Sequence, residues 1–461
     1  MAAKFGTSGL RGLVSELSAD LVGDYTRAFL AACPVGTGLF LGQDLRESSP
    51  EIAAAVAAAA QAEGVAVFDC GVLPTPALAL AAGAAGAAAI MVTGSHIPAD
   101  RNGLKFYTPM GEISKAEETA ISAALGRPSQ GLAAEIQPAP EAHRAYIQRY
   151  SNAFGPKALA GLRIGVWQHS STARDVLTEV LTLCGAEVVP LGRSAEFIPV
   201  DTEAVDPQTR GQLADWCAHD ALDALVSTDG DADRPMLADQ SGQIIPGDIL
   251  GMITAQVLGA KVLVTPVSSN SGAELMGEFS VKRTKIGSPY VIEEMTKSRA
   301  TSPGARVVGY EANGGFLLGY AAEAPAGGLA PLMTRDSLLP ILAPLYAAAA
   351  QRISVAQLAS KLPPRFTASD RLQGVTPEAA TALLAKVSHD PAPLLSVLGL
   401  GQIASRDQTD GLRLIDSAGK ILHLRPSGNA PEFRVYIEAA SQQRAQLLLQ
   451  NALRVLPGLL I

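Results

Sequence analysis

Cysteine is scarce in this chain. Of 461 residues only Cys33, Cys70, Cys184 and Cys217 are cysteines, widely spaced and without a Cys-x-x-Cys pair. That excludes a sequence-local zinc knuckle or a thioredoxin-like redox site, and reads as buried free thiols in a reducing compartment. A basic excess is absent too: 36 Lys and Arg against 44 Asp and Glu leave a net charge of −8. A non-specific nucleic-acid binder needs a basic face, so nucleic acid is not an expected partner. Any anionic ligand must be held by a local cluster of Arg and Lys. Long apolar runs are missing as well. Residues 75–92 are uncharged, but they are Ala/Gly-rich and shorter than a membrane-spanning helix needs. The opening Met1-Ala2-Ala3-Lys4-Phe5-Gly6-Thr7 lacks the charged-then-apolar pattern of a signal peptide. The expectation is a soluble, cytoplasmic protein with no membrane partner, as monomer or homodimer.

What is present points to a large globular protein. Hydrophobic residues make up 48% and charged residues 17%, and the length predicts about three domains as a prior. Three segments share one grammar: a short apolar strand, a Ser pair, a helix, then a second strand. The first runs through 38–42, Ser48-Ser49 and 65–68; the second through 162–166, Ser170-Ser171 and 186–189; the third through 261–264, Ser268-Ser269 and 281–284. The Ser pairs are read as helix N-caps. They fall 122 and then 98 residues apart, which spaces three α/β domains with largely buried sheets. After about residue 366 the pattern changes to strand, helix, three strands and a terminal helix from Gln442, a smaller α+β domain. The expected boundaries are 1–153, 154–254, 255–365 and 366–461. No low-complexity linker separates the units, so they are expected to pack around a shared central cleft.

Four segments carry chemistry. In Thr93-Gly94-Ser95-His96-Ile97-Pro98-Ala99-Asp100-Arg101-Asn102-Gly103-Leu104-Lys105, a serine stands where an apolar strand ends. With a His and a Lys nearby it can be a nucleophile or a phosphoryl carrier, or simply lie in a polar turn. In Ser227-Thr228-Asp229-Gly230-Asp231-Ala232-Asp233-Arg234, three carboxylates at i, i+2 and i+4 follow a strand. Their repulsion is relieved by a cation, and all-oxygen ligands suit Mg²⁺ or Ca²⁺. An EF-hand is excluded, because its sixth loop position would be Arg234 and its twelfth Gln240. An aspartyl-phosphate phosphatase remains a competitor. Gly309-Tyr310-Glu311-Ala312-Asn313-Gly314-Gly315-Phe316 reads either as a glycine hairpin or as a Glu–Asn pair for vicinal sugar hydroxyls. Arg425-Pro426-Ser427-Gly428-Asn429, with Arg434 beyond, is an ordinary turn or a phosphate-capturing loop.

These four segments occur in this order behind Phe5-Gly6-Thr7-Ser8-Gly9-Leu10-Arg11-Gly12. In that combination the chain resembles the α-D-phosphohexomutase family over essentially its whole length. The resemblance implies three related α/β domains with mixed sheets, plus a C-terminal α+β domain that closes on a phosphosugar. It implies Ser95 as phosphoserine, with Asp229, Asp231 and Asp233 holding Mg²⁺ together with that phosphate. It assigns Glu311 and Asn313 to sugar recognition, and Arg425, Ser427, Gly428, Asn429 and Arg434 to phosphate binding. Arg11, His96, Lys105 and Arg234 surround the transferring group, and Lys285 and Gly287 lie near the sugar phosphate. Lys105 is expected to be the general acid/base, its pKa depressed by neighbouring cations. The implied reaction interconverts hexose 1- and 6-phosphates through a hexose 1,6-bisphosphate, which also serves as activator.

Three positions depart from the family's pattern. Ile97 replaces an Asn, Gly315 a His, and Asn429 a Thr. The opening and the length resemble the bacterial phosphomannomutase branch, with phosphoglucomutase activity as an addition; the Glu-Ala-Asn-Gly wording resembles the hexosamine-phosphate mutases. The first branch is the expectation. A sugar phosphatase using Asp229, and a phosphosugar-binding protein without turnover, stay open beside it.

Overall fold

The computed structural model describes residues 3–6, 9–426 and 432–459. Three α/β units each carry four strands in one shared arrangement. In the first these are Leu39–Gln43, Val67–Val72, Ala88–Val92 and Arg101–Thr108; in the second Arg163–His169, Glu187–Arg193, Ala224–Thr228 and Pro235–Asp239; in the third Val262–Pro266, Ser280–Thr284, Val307–Tyr310 and Phe316–Leu318. Each time the spatial order is second, first, third, fourth. The first three strands are parallel and the fourth returns antiparallel beside the third. The third strands are buried at every position, as expected of strands covered on both faces by helices.

This arrangement positions the chemistry. The Ser95 segment, the Asp229–Asp233 segment and the Glu311–Asn313 segment all occupy the same turn, between the third strand and the fourth. One apolar cluster runs through all three units, from Phe40 and Leu78 through Tyr146, Ile164 and Leu250 to Phe316 and Leu342. The units are therefore welded, and the three turns keep a fixed relation.

The C-terminal unit is a five-stranded antiparallel sheet in the order Phe366–Gln373, Glu432–Ala439, Ile421–Pro426, Leu412–Asp416, Ile403–Asp407. Helices Pro377–His389, Ala392–Leu398 and Gln442–Val455 complete it, and its apolar core is its own. Its contacts with the third unit include polar ones. The Glu438 carboxylate accepts from the Ser271 backbone N at 2.9 Å and from the Ser271 hydroxyl.

The Ser pairs do not cap helices as expected. Ser48 makes no side-chain cap bond, and the helices after the other two pairs start from Ala173 and Ser271. The hydroxyls fasten loops to strands instead: Ser49 Oγ donates to Asp44 Oδ1 at 2.6 Å, Ser171 Oγ lies 2.6 Å from Thr228 Oγ1, and Thr265 Oγ1 donates to Ser269 Oγ at 2.8 Å. A short hydroxyl beside a strand end finds a nearer partner there than at a helix start. Among the described residues no helix is long and apolar enough to cross a membrane.

Candidate active site

Ser95 holds φ at 56°, a left-handed conformation that costs a residue with a Cβ about 1–3 kcal/mol and persists only where its surroundings enforce it. Those surroundings centre on Arg46, 2% exposed. Its Nη1 donates to the carbonyls of Pro98 (2.7 Å) and Arg101 (2.9 Å), and its Nη2 to those of Ser95 (3.0 Å) and Ile97 (2.7 Å). Asp44 takes Arg46 Nε at 3.1 Å and Thr93 Oγ1 at 2.7 Å, and Thr93 Oγ1 accepts from Ser95 N at 2.8 Å. Residue 94 must be glycine, because a Cβ there would lie 2.6 Å from the Arg46 guanidinium carbon. The loop is thus a cast around one buried cation.

The cast aims Ser95 at the second unit, where its Oγ donates to Asp229 Oδ2 at 2.6 Å. His96 Nδ1 lies 3.3 Å from Ser95 Oγ. Burial, with Arg234 and Arg11 nearby, pushes this imidazole far below its ordinary pKa, so it is neutral. Asp229, Asp231 and Asp233 are all buried, each with a carboxylate oxygen within 4.8 Å of the others. Burial first, then Asp231 and Asp233, raise Asp229 well above the carboxylate range. Asp233 is held below that range: burial pushes it up, but Arg335, Lys105 and Arg234 outweigh burial.

The donor set fits a hard divalent cation. It is all oxygen, and Oδ1 of both Asp231 and Asp233 is buried without a hydrogen-bond partner among the described residues. Unsatisfied buried carboxylate oxygens facing one another are costly unless a cation meets them.

Lys105 departs from expectation. Its Nζ donates to Asp231 Oδ2 at 2.5 Å and to Asp233 Oδ2 at 2.6 Å. Burial pushes its pKa down, yet the two carboxylates outweigh burial and the net shift is upward. The flanking cations are there, but two acids at contact distance count for more than cations further off.

Arg11 enters from Leu10–Leu13, paired through Arg11 to Gly103. Burial, Arg234 and Arg335 hold its guanidinium down to about 10. Arg234 lies 3.9 Å from both Asp229 and Asp233, and reaches Glu203 at 3.7 Å. In the sugar turn, Asn313 Oδ1 accepts from Gly315 N at 2.9 Å. Glu311 Oε2 accepts from Arg335 Nη1 at 3.0 Å.

Two residues escaped the sequence reading. Arg46 stands in Asp44-Leu45-Arg46, with Glu47 between it and the Ser48-Ser49 pair, and a charge pair closing an apolar strand is its signal. Arg335 lies in strand Leu332–Asp336 in a polar run after an apolar one, with no motif around it.

The remaining expected residues lie further out. Lys285 is exposed, its Nζ 5.8 Å from the Tyr290 ring centroid, and Gly287 caps helix Ser288–Thr301 at a φ of 130°. Asp410 Oδ2 accepts from Ile286 N at 3.0 Å and meets Arg425 Nε at 2.9 Å, so it joins this segment to the C-terminal unit. Arg434 pairs loosely with Glu432 at 3.7 Å. Ser427, Gly428 and Asn429 lie outside the described residues.

Three repeated units, each offering one turn to a common cleft, with a serine, an acidic triad and a carboxylate–amide pair, define a phosphohexomutase. The chain belongs to the phosphoglucomutase/phosphomannomutase family: models of its alpha/beta/alpha domains I, II and III match residues 2–131, 144–242 and 246–366, and that of its C-terminal domain matches 363–454. Among curated relatives, a phosphomannomutase of Sinorhizobium fredii is 45% identical, with 99% of each chain covered. One of Salmonella muenchen is 42% identical over 97% of this chain and 94% of its own. A phosphoglucosamine mutase of Symbiobacterium thermophilum is 32% identical over 74% of this chain and 79% of its own. A solved phosphoglucomutase/phosphomannomutase family structure from Burkholderia thailandensis shares the fold, with a TM-score of 0.79 at 21% identity over 99% and 98% of the two chains.

Proposed function

We propose that this chain is a phosphomannomutase that also turns over glucose phosphates, interconverting hexose 1- and 6-phosphates through phospho-Ser95. The observation that carries this reading is the Ser95 hydroxyl, held in a strained turn of one unit and aimed at Asp229 of the next. The greater identity to phosphomannomutases than to a phosphoglucosamine mutase supports mannose over an amino sugar. The units are read as 1–153, 154–254, 255–365 and 366–461.

In the first half-reaction the free sugar hydroxyl attacks the phosphorus on Ser95. A new P–O bond to the sugar forms, the bond to Ser95 Oγ breaks, and the electron pair stays on Oγ. The Lys105 ammonium gives a proton to the departing Ser95 Oγ and is restored by the proton of the sugar hydroxyl. In the second half, the reoriented bisphosphate returns its other phosphoryl group to Ser95; Lys105 gives a proton to the departing sugar oxygen and regains one from the Ser95 hydroxyl. The ammonium held by Asp231 and Asp233 is the form each half requires, and over a full cycle the proton balance is zero. Phosphoryl transfer depends on position and charge stabilisation. Arg11 and Arg234 would face the transferring group, Glu311 and Asn313 would hold sugar hydroxyls, and Lys285, Arg425 and Arg434 would hold the other phosphate. Asp229, Asp231 and Asp233 would hold Mg²⁺, which when bound neutralises phosphoryl charge.

The test is a mutase assay with Mg²⁺ and a hexose 1,6-bisphosphate primer, on the 1-phosphates of mannose, glucose, glucosamine and N-acetylglucosamine. Mannose 1-phosphate is expected to give 6-phosphate, with turnover lost in Ser95→Ala. Turnover of amino sugars only would move the chain to the hexosamine branch. Phosphate release that survives Ser95→Ala would make it an Asp229 phosphatase.

A further inference from the structure

The glycine at 315 has a steric cause. A Cβ built there would lie 2.7 Å from Arg335 Cδ, 2.8 Å from Cγ and 3.0 Å from Cβ. The aliphatic stem of Arg335 therefore lies across residue 315, and no side chain can stand there while Arg335 keeps its course. The strand carrying Arg335 pairs antiparallel with Phe316–Leu318, Phe316 facing Asp336. From that strand the side chain runs over Gly315 into the cleft.

At its far end the guanidinium divides between two turns. Nε and Nη2 donate to Asp233 Oδ2 at 3.1 and 2.7 Å, and Nη1 donates to Glu311 Oε2 at 3.0 Å. Arg335 is 5% exposed. Its backbone is fixed through the next residue: the hydroxyls of Tyr146 and Tyr150 both donate to the Asp336 carboxylate, which also accepts from Leu338 N and Leu339 N at 3.2 Å. A rigid planar fork thus ties the acid of the sugar turn to the acid of the aspartate turn, with its root clamped by the first unit.

Resting on the mutase reading above, we propose that Arg335 is a positioning residue for the sugar. It sets the Glu311 carboxylate in register with the Asp229–Asp233 turn, and Gly315 is its obligatory partner. A hexose phosphate whose hydroxyls are held by Glu311 then presents its free hydroxyl at a fixed distance from Ser95. A lysine at 335 keeps one charge but lacks the fork, so it can meet one carboxylate and not both.

The experiment measures mannose 1-phosphate kinetics and thermal unfolding for the wild type, Arg335→Lys, Gly315→Ala, Arg335→Ala and the Gly315→Ala/Arg335→Ala double variant. Losing one of its two charge-assisted carboxylate ties is expected to raise KM in Arg335→Lys about tenfold or more. Its kcat should change by less than about threefold, because Glu311, once the sugar is bound, still holds substrate and transition state alike. Gly315→Ala should lower kcat/KM in the wild-type background and cost under about twofold more in the Arg335→Ala background, where its clash is gone. Unchanged KM in Arg335→Lys, or additive costs in the double variant, would overturn the proposal. So would a loss of activity that merely tracks a loss of folded protein. If Arg335→Lys does not fold, the Gly315→Ala pair decides alone. A wild type without mutase turnover refutes the functional reading instead.

Discussion

The Arg46 guanidinium lies 4.0 Å over the ring centroid of Phe197, so a side chain of the second unit closes over the cation that shapes the Ser95 loop. The same residue that collects four carbonyls of the first unit is thereby covered by the unit that carries Asp229. Loop shape and unit packing are one structure at this point.

Arg46→Lys should therefore damage both stability and catalysis. An ammonium cannot reproduce a planar fork serving four carbonyls, and at least two buried acceptors are left unpaired. The expected cost is about 2–4 kcal/mol in denaturant unfolding, with turnover down about a hundredfold or more as Ser95 loses its aim. Phe197→Ala should cost about 1–2 kcal/mol. A stable, fully active Arg46→Lys would show that the loop holds its shape by other means.

The strain at Ser95 gives a second expectation, in which function and stability oppose each other. At φ of 56° glycine is at ease and alanine is not. Ser95→Gly and Ser95→Ala should both abolish turnover, since both remove the nucleophile. Ser95→Gly should nevertheless be more stable than Ser95→Ala by about 1 kcal/mol. Equal melting temperatures would mean that the surrounding bonds relax the loop once the hydroxyl is gone.

Much of this was legible in the sequence, and the reason is local patterning. Short buried strands and the turns after them recur at domain spacing, and that pattern alone puts Ser95, Asp229 and Glu311 at strand ends. What stayed hidden acts at long range. Arg46 serves carbonyls 49–55 positions away, and Arg335 meets Asp233 across 102 positions. Neither sits in a recurrent local pattern. The sign of the Lys105 shift failed for a related cause: composition shows which charges are near in the chain, but not that the amine is wedged between two acids.

Asp248 supplies a pH test remote from the cleft chemistry. It lies in the first turn of helix Gly247–Val257, where its Oδ2 accepts from Asn270 N at 2.8 Å while Oδ1 is buried without a partner among the described residues. Burial chiefly, with Glu438 adding, pushes its carboxyl up from 3.8 to about 6. A raised acid favours the fold in its neutral form, so its contribution is present at low pH and lost as pH rises through about 6. Asp248→Asn keeps an acceptor and removes the charge. It should therefore stabilise the protein at pH 8 by roughly 1–1.5 kcal/mol relative to its effect at pH 5. The measurement is urea unfolding at the two pH values, and an effect of equal size at both would discard the argument.

Lys105 and the aspartate triad yield the sharpest statement about metal. The ammonium is the nearest cation to Asp231 and Asp233, at 2.5 and 2.6 Å, so in the metal-free protein it carries much of the neutralisation of three buried acids. Removing one partner of a buried ion pair costs about 3–5 kcal/mol, because the charges left behind remain desolvated. Lys105→Met should therefore be markedly less stable than the wild type in EDTA. Adding Mg²⁺ should then restore more stability to the variant than it adds to the wild type, since the ion meets carboxylates with less competing positive charge and binding stabilises by mass action. The comparison is of melting temperatures over a Mg²⁺ titration, with Ca²⁺ in parallel. A larger Mg²⁺ shift in Lys105→Met than in the wild type places ion and ammonium in competition for the same oxygens. Identical shifts would place the ion elsewhere, and the unpaired Oδ1 atoms of Asp231 and Asp233 would then need another explanation.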